Sequence, residues 1–148
     1  RKAILVLISI ATAGAQSIRL EAPSSVPTYE LAEFVLHIPS PTFPNPFTEP
    51  APTAEITPPT GPKQTVTGFA DSNDGVLFRL RYSPSQPGTH RYLVRMGKFR
   101  QKGEFKTTAA IGNGPVQPDP QHPKHFRYAS GKPFYHLGYT AYHLLDPS

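Results

Sequence analysis

The sequence predicts an all-β protein, an antiparallel β-sandwich, from three observations. Proline accounts for 19 of the 148 residues, and proline disfavours long helices because it removes a backbone donor. No stretch after Gln16 offers a long proline-free helical pattern. Short segments of alternating apolar and polar residues instead recur between turn-forming clusters. About seven such strands at this spacing are typical of a sandwich.

The first 15 residues are predicted to be a secretion signal, separate from the fold. Arg1 and Lys2 precede an apolar run, Ala3–Ile10, and the small residues of Ala13–Ala15 form the pattern of a signal-peptidase site. The run is too short for a transmembrane helix of about 20 residues. We therefore expect a secreted or periplasmic protein with no membrane attachment after cleavage.

The first strand of the sandwich is predicted within Tyr29–Ile38. Apolar residues alternate from Phe34 to Ile38, but Leu31 and Val35 lie on the other parity. This pattern indicates a bulge or a strand buried on both faces. A helix is the alternative, because ELAEF is compatible with a helix.

Two central strands carry the clearest alternation. Every second residue of Val76–Tyr82 is apolar, with Arg79 and Arg81 on the opposite side, and His90–Met96 repeats the pattern. Because a Pro/Gly turn separates the segments, we predict that they pair as a central hairpin. The side chains expected in the core are Phe78, Leu80, Tyr92 and Val94.

Three further strands complete the predicted sandwich, which spans residues 18–109. They are Ala54–Thr57, Gln64–Phe69 and Glu104–Ala109. The loop Asp71–Gly75 is predicted to be a hairpin turn. Its clustered oxygens resemble part of a calcium loop, but it lacks the terminal glutamate that an EF-hand requires.

The C-terminal region divides into a linker and an aromatic-rich end. Glycine and proline dominate residues 110–124, which we predict to be a linker. The following HFRYASGKPFYHLG is predicted to be a hairpin with its turn at Ser130-Gly131. Residues 125–148 are treated as the start of a second domain.

The placement of the cations, the absence of cysteine and the spacing of the histidines exclude several functions. The formal net charge is +5, but the cations alternate with apolar residues along strands, so we expect a solvated face and no nucleic-acid partner. There is no cysteine, so packing alone must stabilise the domain. The histidines of the C-terminal region lack companion ligands at zinc-site spacing. They are His122, His125, His136 and His143. We predict no metal and no cofactor.

Several strings resemble a known arrangement of domains. They are Asn45–Phe47, Thr67–Asp71, Phe78–Tyr92, Gly103–Phe105 and the junction Gly112–Leu145. Together they resemble bacterial glycoside hydrolases in which an N-terminal immunoglobulin-like domain, DUF5060, precedes a TIM-barrel domain of the DUF4038 or apiosidase-like type. The resemblance implies an immunoglobulin-like antiparallel β-sandwich, a linker, and the truncated first strand of a (β/α)8 barrel.

The resemblance also implies where substrate would bind. In TIM barrels the active site lies at the C-terminal ends of the strands, so residues leaving the first strand would line a sugar pocket. The substrate-binding candidates are Tyr139, Tyr142 and His143, since aromatic rings stack on sugars and imidazoles hydrogen-bond hydroxyls. The alternative is an aromatic strand packed in the barrel wall. No residue is predicted to be catalytic, because the two carboxylates of glycosidases would lie in barrel sequence beyond this chain.

Two functions follow. The chain is either the N-terminal accessory part of a secreted glycoside hydrolase acting on polysaccharide, catalytically incomplete by itself, or a non-catalytic β-sandwich module that binds carbohydrate or protein. An exposed row of aromatic residues on one sheet would favour the module. Aromatic residues buried beneath polar sheet faces would favour the accessory domain.

Overall fold

The computed structural model describes residues 17–48 and 51–138, and these residues form strands and loops with no helix among them. The strands are β1 (Arg19–Glu21), β2 (Ser25–Pro27), β3 (Ala32–His37), β4 (Thr53–Thr57), β5 (Gln64–Thr67), β6 (Phe69–Ala70), β7 (Leu77–Tyr82), β8 (Gly88–Met96), β9 (Phe99–Thr108), β10 (Val116–Pro118), β11 (Phe126–Tyr128) and β12 (Pro133–Phe134).

Two sheets enclose one core. One sheet has four strands in the order β1-β3-β7-β6, and the other has five in the order β2-β9-β8-β4-β5. All pairings in these sheets are antiparallel except β2 with β9. When β1 and β3 to β9 are lettered A, B, C, C′, D, E, F and G in chain order, the sheets are ABED and GFCC′, with β2 as a fifth strand beside G. This is the immunoglobulin arrangement, so the predicted fold class is confirmed.

The core is built by alternation on both sheets. In β3 the buried side chains are Ala32, Phe34 and Leu36, with half-buried residues between them. Phe34 contacts Tyr92 of β8 edge to face, with ring centroids 5.0 Å apart. In antibody domains a disulfide joins these same two strands. Here an aromatic contact joins them, in keeping with the absence of cysteine.

The segment from residue 29 to 38 contains a strand, β3, as predicted, and its helical alternative is wrong. Leu31, which disturbed the alternation, precedes β3 and is 52% exposed. Val35 lies on the outer face and is half-buried. The strand itself therefore keeps a strict period of two, with no bulge.

The predicted central hairpin is wrong in its pairing. The residues expected in the core are buried, but β7 pairs with β3 and β6, while β8 pairs with β4 and β9. Residues 83–87 carry the chain from one sheet to the other, so Tyr82 and His90 meet across the core with ring centroids 5.9 Å apart. A five-residue loop is long enough to cross the gap of about 10 Å between packed sheets.

The strand predicted over Gln64–Phe69 is divided at Gly68. Residues before it pair with β4, and residues after it pair with β7 in the other sheet. A Cβ atom at Gly68 would lie 2.5 Å from the carbonyl oxygen of Arg79 and 2.7 Å from Pro52 Cγ. Only glycine allows the chain to pass this closely as it changes sheets.

The remaining predicted turns can be located. Residues 71–75 form the hairpin loop between β6 and β7, as predicted, closed by a 2.8 Å hydrogen bond from the Asp71 amide to the Leu77 carbonyl. The hairpin around Ser130-Gly131 is also confirmed, because β11 pairs with β12. Within the predicted linker, residues 116–118 form β10, which pairs with β11. The predicted signal, residues 1–15, lies outside the described residues.

Candidate functional site

The substrate-binding residues predicted from the sequence cannot be placed. Tyr139, Tyr142 and His143 all lie outside the described residues, which end at Gly138. The structure does describe the small sheet that leads to them, β10-β11-β12.

The small sheet and the residues that follow it carry three exposed apolar side chains, those of Phe126, Tyr135 and Leu137. Their side chains are 50%, 78% and 92% exposed. Tyr128 and Phe134 pack edge to face, with ring centroids 5.4 Å apart. This aromatic pair connects β11 with β12, while the three exposed side chains have little cover among the described residues. Exposed apolar surface of this kind is typical of an interface.

Tyr29 joins the small sheet to the sandwich. Its backbone has φ of +70°, unusual for a residue with a large side chain, and its amide donates a 2.7 Å hydrogen bond to the Pro84 carbonyl. A Cβ atom at Gly114 would lie 2.7 Å from the Tyr29 ring. The ring therefore lies directly on the chain that enters β10. A cleft of about 480 Å³ opens beside this contact.

Carboxylates converge at one place on the outer face of the four-stranded sheet. Arg79 forms ion pairs with both Glu33 and Asp71, and Arg81 forms a second ion pair with Glu33 at 2.9 Å. The hydrogen bond from Arg81 and the neighbouring Arg79 hold the pKa of Glu33 below its usual range. A glycosidase acid needs a raised pKa, so this cluster is suited to stabilise the sheet and not to protonate a leaving group.

Arg81 also contacts the exposed aromatic ring on this face. Its guanidinium carbon lies 5.1 Å from the ring centroid of Phe69, which is 41% exposed. This is a cation–π contact. The other large aromatic residues of the sandwich strands lie in or against the core: Phe99 is half-buried, and Phe34, Phe78, Tyr82, Tyr92 and Phe105 are buried.

The outer face of the five-stranded sheet contains a shallow cavity of about 510 Å³. Its lining residues include Glu55, Arg91, Leu93, Lys102 and Glu104. Leu93 is half-buried at the centre of β8, and charged side chains surround it. The cavity can contact a flat ligand through Leu93 and ionic groups through its rim.

Metal ligands do not cluster in residues 17–48 or 51–138, where no group of three or more His, Asp or Glu side chains could hold an ion. Asp74 instead accepts a 3.1 Å hydrogen bond from the Val76 amide within its turn. Nδ1 of His122 lies 3.1 Å from Oδ2 of Asp119, and His125 is its aromatic neighbour at 6.0 Å. Over the same ranges, no helix has the length and apolar character that crossing a membrane requires.

Comparison with known proteins agrees with this architecture. The model of a family described as a domain of unknown function, DUF5060, matches residues 25–97. Among solved structures, the chain is similar to a protein from Bacteroides vulgatus ATCC 8482 described as a "putative glycoside hydrolase", with a TM-score of 0.67 and 30% identity. The similarity covers 80% of this chain but only 23% of that protein. No curated protein matches the sequence.

These matches support two parts of the predicted resemblance. One is the likeness to DUF5060, and the other is the likeness to a protein described as a "putative glycoside hydrolase". The sequence prediction missed the cavity on the five-stranded sheet. Arg91 and Lys102 could each be assigned to an outward position from the alternation alone. Their placement around Leu93 depends on the pairing of β8 with β9, which the sequence did not predict.

Proposed function

We propose that this chain is the N-terminal accessory part of a secreted glycoside hydrolase that acts on polysaccharide, and that it is catalytically incomplete by itself. The sandwich would support a downstream catalytic domain of the DUF4038 or apiosidase-like TIM-barrel type. Tyr139, Tyr142 and His143 would then contribute to the sugar pocket of the complete enzyme.

The burial of the aromatic residues is the observation that carries this proposal. Carbohydrate-binding sandwiches present rows of exposed rings, since rings stack on sugar faces. Here the five large aromatic side chains of the sandwich core are buried, and Phe69 is the one exposed ring on a strand of the described sandwich sheets. The faces of the sheets are instead polar, which favours a supporting role.

The exposed apolar residues of the small sheet and of the segment after it support the same proposal. Phe126, Tyr135 and Leu137 lie in the last described segment, within residues 125–148, which the resemblance assigns to the start of the barrel domain. Leaving three large apolar side chains in water is unfavourable by about 25 cal/mol per Å² of apolar surface. A catalytic domain packed on β11 and β12 would bury them.

Hydrolysis assays test the proposal. The chain alone, incubated with a panel of plant and bacterial polysaccharides, should release no reducing sugar, because the Glu33 and Asp71 carboxylates are both paired with Arg79. A gene product that continues past Ser148 should hydrolyse at least one member of the panel. Turnover by the chain alone that survives repurification would overturn the accessory role. Inactivity of the longer product on the whole panel would overturn the hydrolase assignment.

Secretion has its own test. Expressed in a bacterial host with its own leader, the chain should be recovered outside the cytoplasm with Gln16 as its first residue. N-terminal sequencing of the recovered protein measures this directly. Recovery of the uncleaved chain from the cytoplasm would contradict the predicted signal.

A further inference from the structure

The outer face of the five-stranded sheet collects much of the positive charge of the chain. The cationic side chains that stand on this face or line its cavity are Lys63, Arg91, Arg95, Arg100, Lys102 and Lys106. The acidic ones are Glu55 and Glu104. Six cations against two carboxylates leave an excess of four, in a chain whose formal net charge is +5.

Some of these cations are used within the fold. Glu55 forms ion pairs with Arg95 and, at 3.9 Å, with Lys63. Arg100 donates hydrogen bonds to the carbonyls of Gly97 and Phe99 in the β8–β9 turn, at 2.8 and 2.9 Å. Their charges are therefore partly compensated by groups of the protein.

Arg91, Lys102 and Lys106 differ from those three, because none forms an ion pair with any residue of the described chain. Arg91 and Lys102 both line the cavity around Leu93. They lie on adjacent strands, since Leu93 is the register partner of Lys102 and Arg91 is the partner of Glu104. Diagonal neighbours of this kind are about 7–8 Å apart, so one ligand can contact both.

The face also retains a repulsive arrangement. Arg95 and Arg100 are register partners in β8 and β9, and like charges placed directly opposite each other destabilise a sheet. Glu55 and the turn carbonyls compensate these two charges only in part, and a bound anion would reduce the remaining repulsion. The arrangement therefore favours a ligand with several negative groups.

We propose that the outer face of the five-stranded sheet binds an anionic glycan, one that carries uronate carboxylates or sulfate groups. Arg91 and Lys102 bind the acidic groups, and Leu93 contacts the apolar face of a sugar ring. Glu55 and Glu104 accept hydrogen bonds from sugar hydroxyls at the rim. The inference rests on the proposed function only in taking polysaccharide as the class of polymer.

A glycan fits this face better than a nucleic acid. Single-stranded nucleic acids are bound by aromatic rings that stack on bases, and no aromatic side chain stands outward from the described strands of this sheet. The phosphate backbone of DNA offers no hydroxyl donors to Glu55 and Glu104. The same carboxylates are suitable acceptors for hydroxyl groups, which sugars offer in abundance.

Affinity electrophoresis with four polymers tests the proposal. Polygalacturonate supplies carboxylates, heparin supplies mainly sulfates, dextran is neutral, and double-stranded DNA supplies phosphates. The chain should be retarded by polygalacturonate or heparin, and added salt should weaken the retardation because it screens charge. Whichever of the two retards the chain more strongly identifies the acidic group. Dextran should have no effect, and DNA should bind more weakly than the preferred glycan.

Paired substitutions locate the site. The double variant Arg91→Ala/Lys102→Ala should lose affinity by roughly tenfold or more, since each cation contributes a charge-assisted hydrogen bond. The matched control is Arg19→Ala/Lys124→Ala, which removes the same net charge away from this face and should bind as the unmodified chain does. Circular dichroism and the urea unfolding midpoint establish that both variants fold.

The outcomes that overturn the proposal are distinct from those of the hydrolysis assay. Equal weakening in both double variants would show that binding depends on net charge alone. Equal or tighter binding of DNA would make the face a general polyanion surface, and retardation by dextran would remove the need for charge. Because hydrolysis does not enter these measurements, glycan binding can fail while the accessory role holds, and the reverse.

Discussion

The two outer faces of the sandwich are built from the same alternation but differ in charge. On the four-stranded face and its adjoining loop, the cations Arg19, Arg79 and Arg81 are matched by the carboxylates Glu21, Glu33 and Asp71, and every one of these six groups takes part in an ion pair. The five-stranded face has six cations and two carboxylates. Strand alternation fixes which side chains point outward, and register decides whether they neutralise one another.

Cross-strand partners explain the difference. Glu33 stands directly opposite Arg81 on the four-stranded sheet, where opposite charges stabilise the pairing. On the five-stranded sheet Arg95 stands opposite Arg100, and Arg91 stands opposite Glu104 without forming an ion pair. The first face is therefore arranged for stability, while the second retains the charges of Arg91 and Lys102, which form no ion pair with a described residue.

The largest expected loss of stability comes from a substitution in the core that the two sheets share. Phe34 is fully buried and contacts both Tyr92 and Phe105 of the opposite sheet, with ring centroids 5.0 and 5.9 Å apart. Phe34→Ala should lower the free energy of unfolding by about 3–5 kcal/mol, because it leaves a cavity between the sheets. Urea denaturation measures this. Leu31→Ala, at an exposed position before the same strand, should change it by less than about 0.5 kcal/mol.

As pH falls, buried His90 should lower the free energy of unfolding before the ion pairs of the four-stranded face are lost. His90 is fully buried between Tyr82 and Phe105, and burial holds its pKa below 6.5. Below about pH 6.5 the unfolded state binds a proton that folded His90 does not, so the free energy of unfolding should fall as pH drops. The slope is at most about 1.4 kcal/mol per pH unit.

A substitution of His90 separates its contribution to the pH dependence of stability from the contribution of the carboxylates. Glu33, with its lowered pKa, contributes stability above its unfolded pKa, which is lost only as pH falls below about 4.5. His90→Gln should therefore flatten the stability profile between pH 7 and 5 and leave the decline below pH 4.5 in place. An unchanged slope between pH 7 and 5 would show that His90 is not its source.

The sequence predicted strands and burial more successfully than pairing. The inward sides of β3, β7 and β8 followed from alternation, and the residues named as core are buried. The error was to pair β7 with β8, because residues 83–87 are compatible both with a return in the same sheet and with a crossing to the other. Both arrangements bury Phe78 and Tyr92. Alternation therefore could not distinguish them.

The candidate sites were harder to predict for the same reason, because they depend on which strands pair. The outward position of Arg91 is evident from the sequence, but its neighbours belong to β4 and β9, at distant positions in the chain. The division at Gly68 was hidden because a glycine in a strand pattern does not reveal which backbone it approaches. The prediction for Tyr139, Tyr142 and His143 stays a prediction.

The smallest expected effect on the free energy of unfolding comes from replacing one outward glutamate on each face by glutamine. Glu33→Gln removes the ion pairs to Arg79 and Arg81 and should lower the free energy of unfolding by about 1 kcal/mol, the upper end for partly exposed pairs. Glu104→Gln is the matched control on the five-stranded face, where Glu104 forms no ion pair with a described residue, and it should produce no resolvable change. At 1 M NaCl the effect of Glu33→Gln should shrink, because salt screens half-exposed charges. If the two substitutions were equally costly at low salt, the four-stranded face would not be the more stabilising of the two, and its balanced charges would lose their structural explanation.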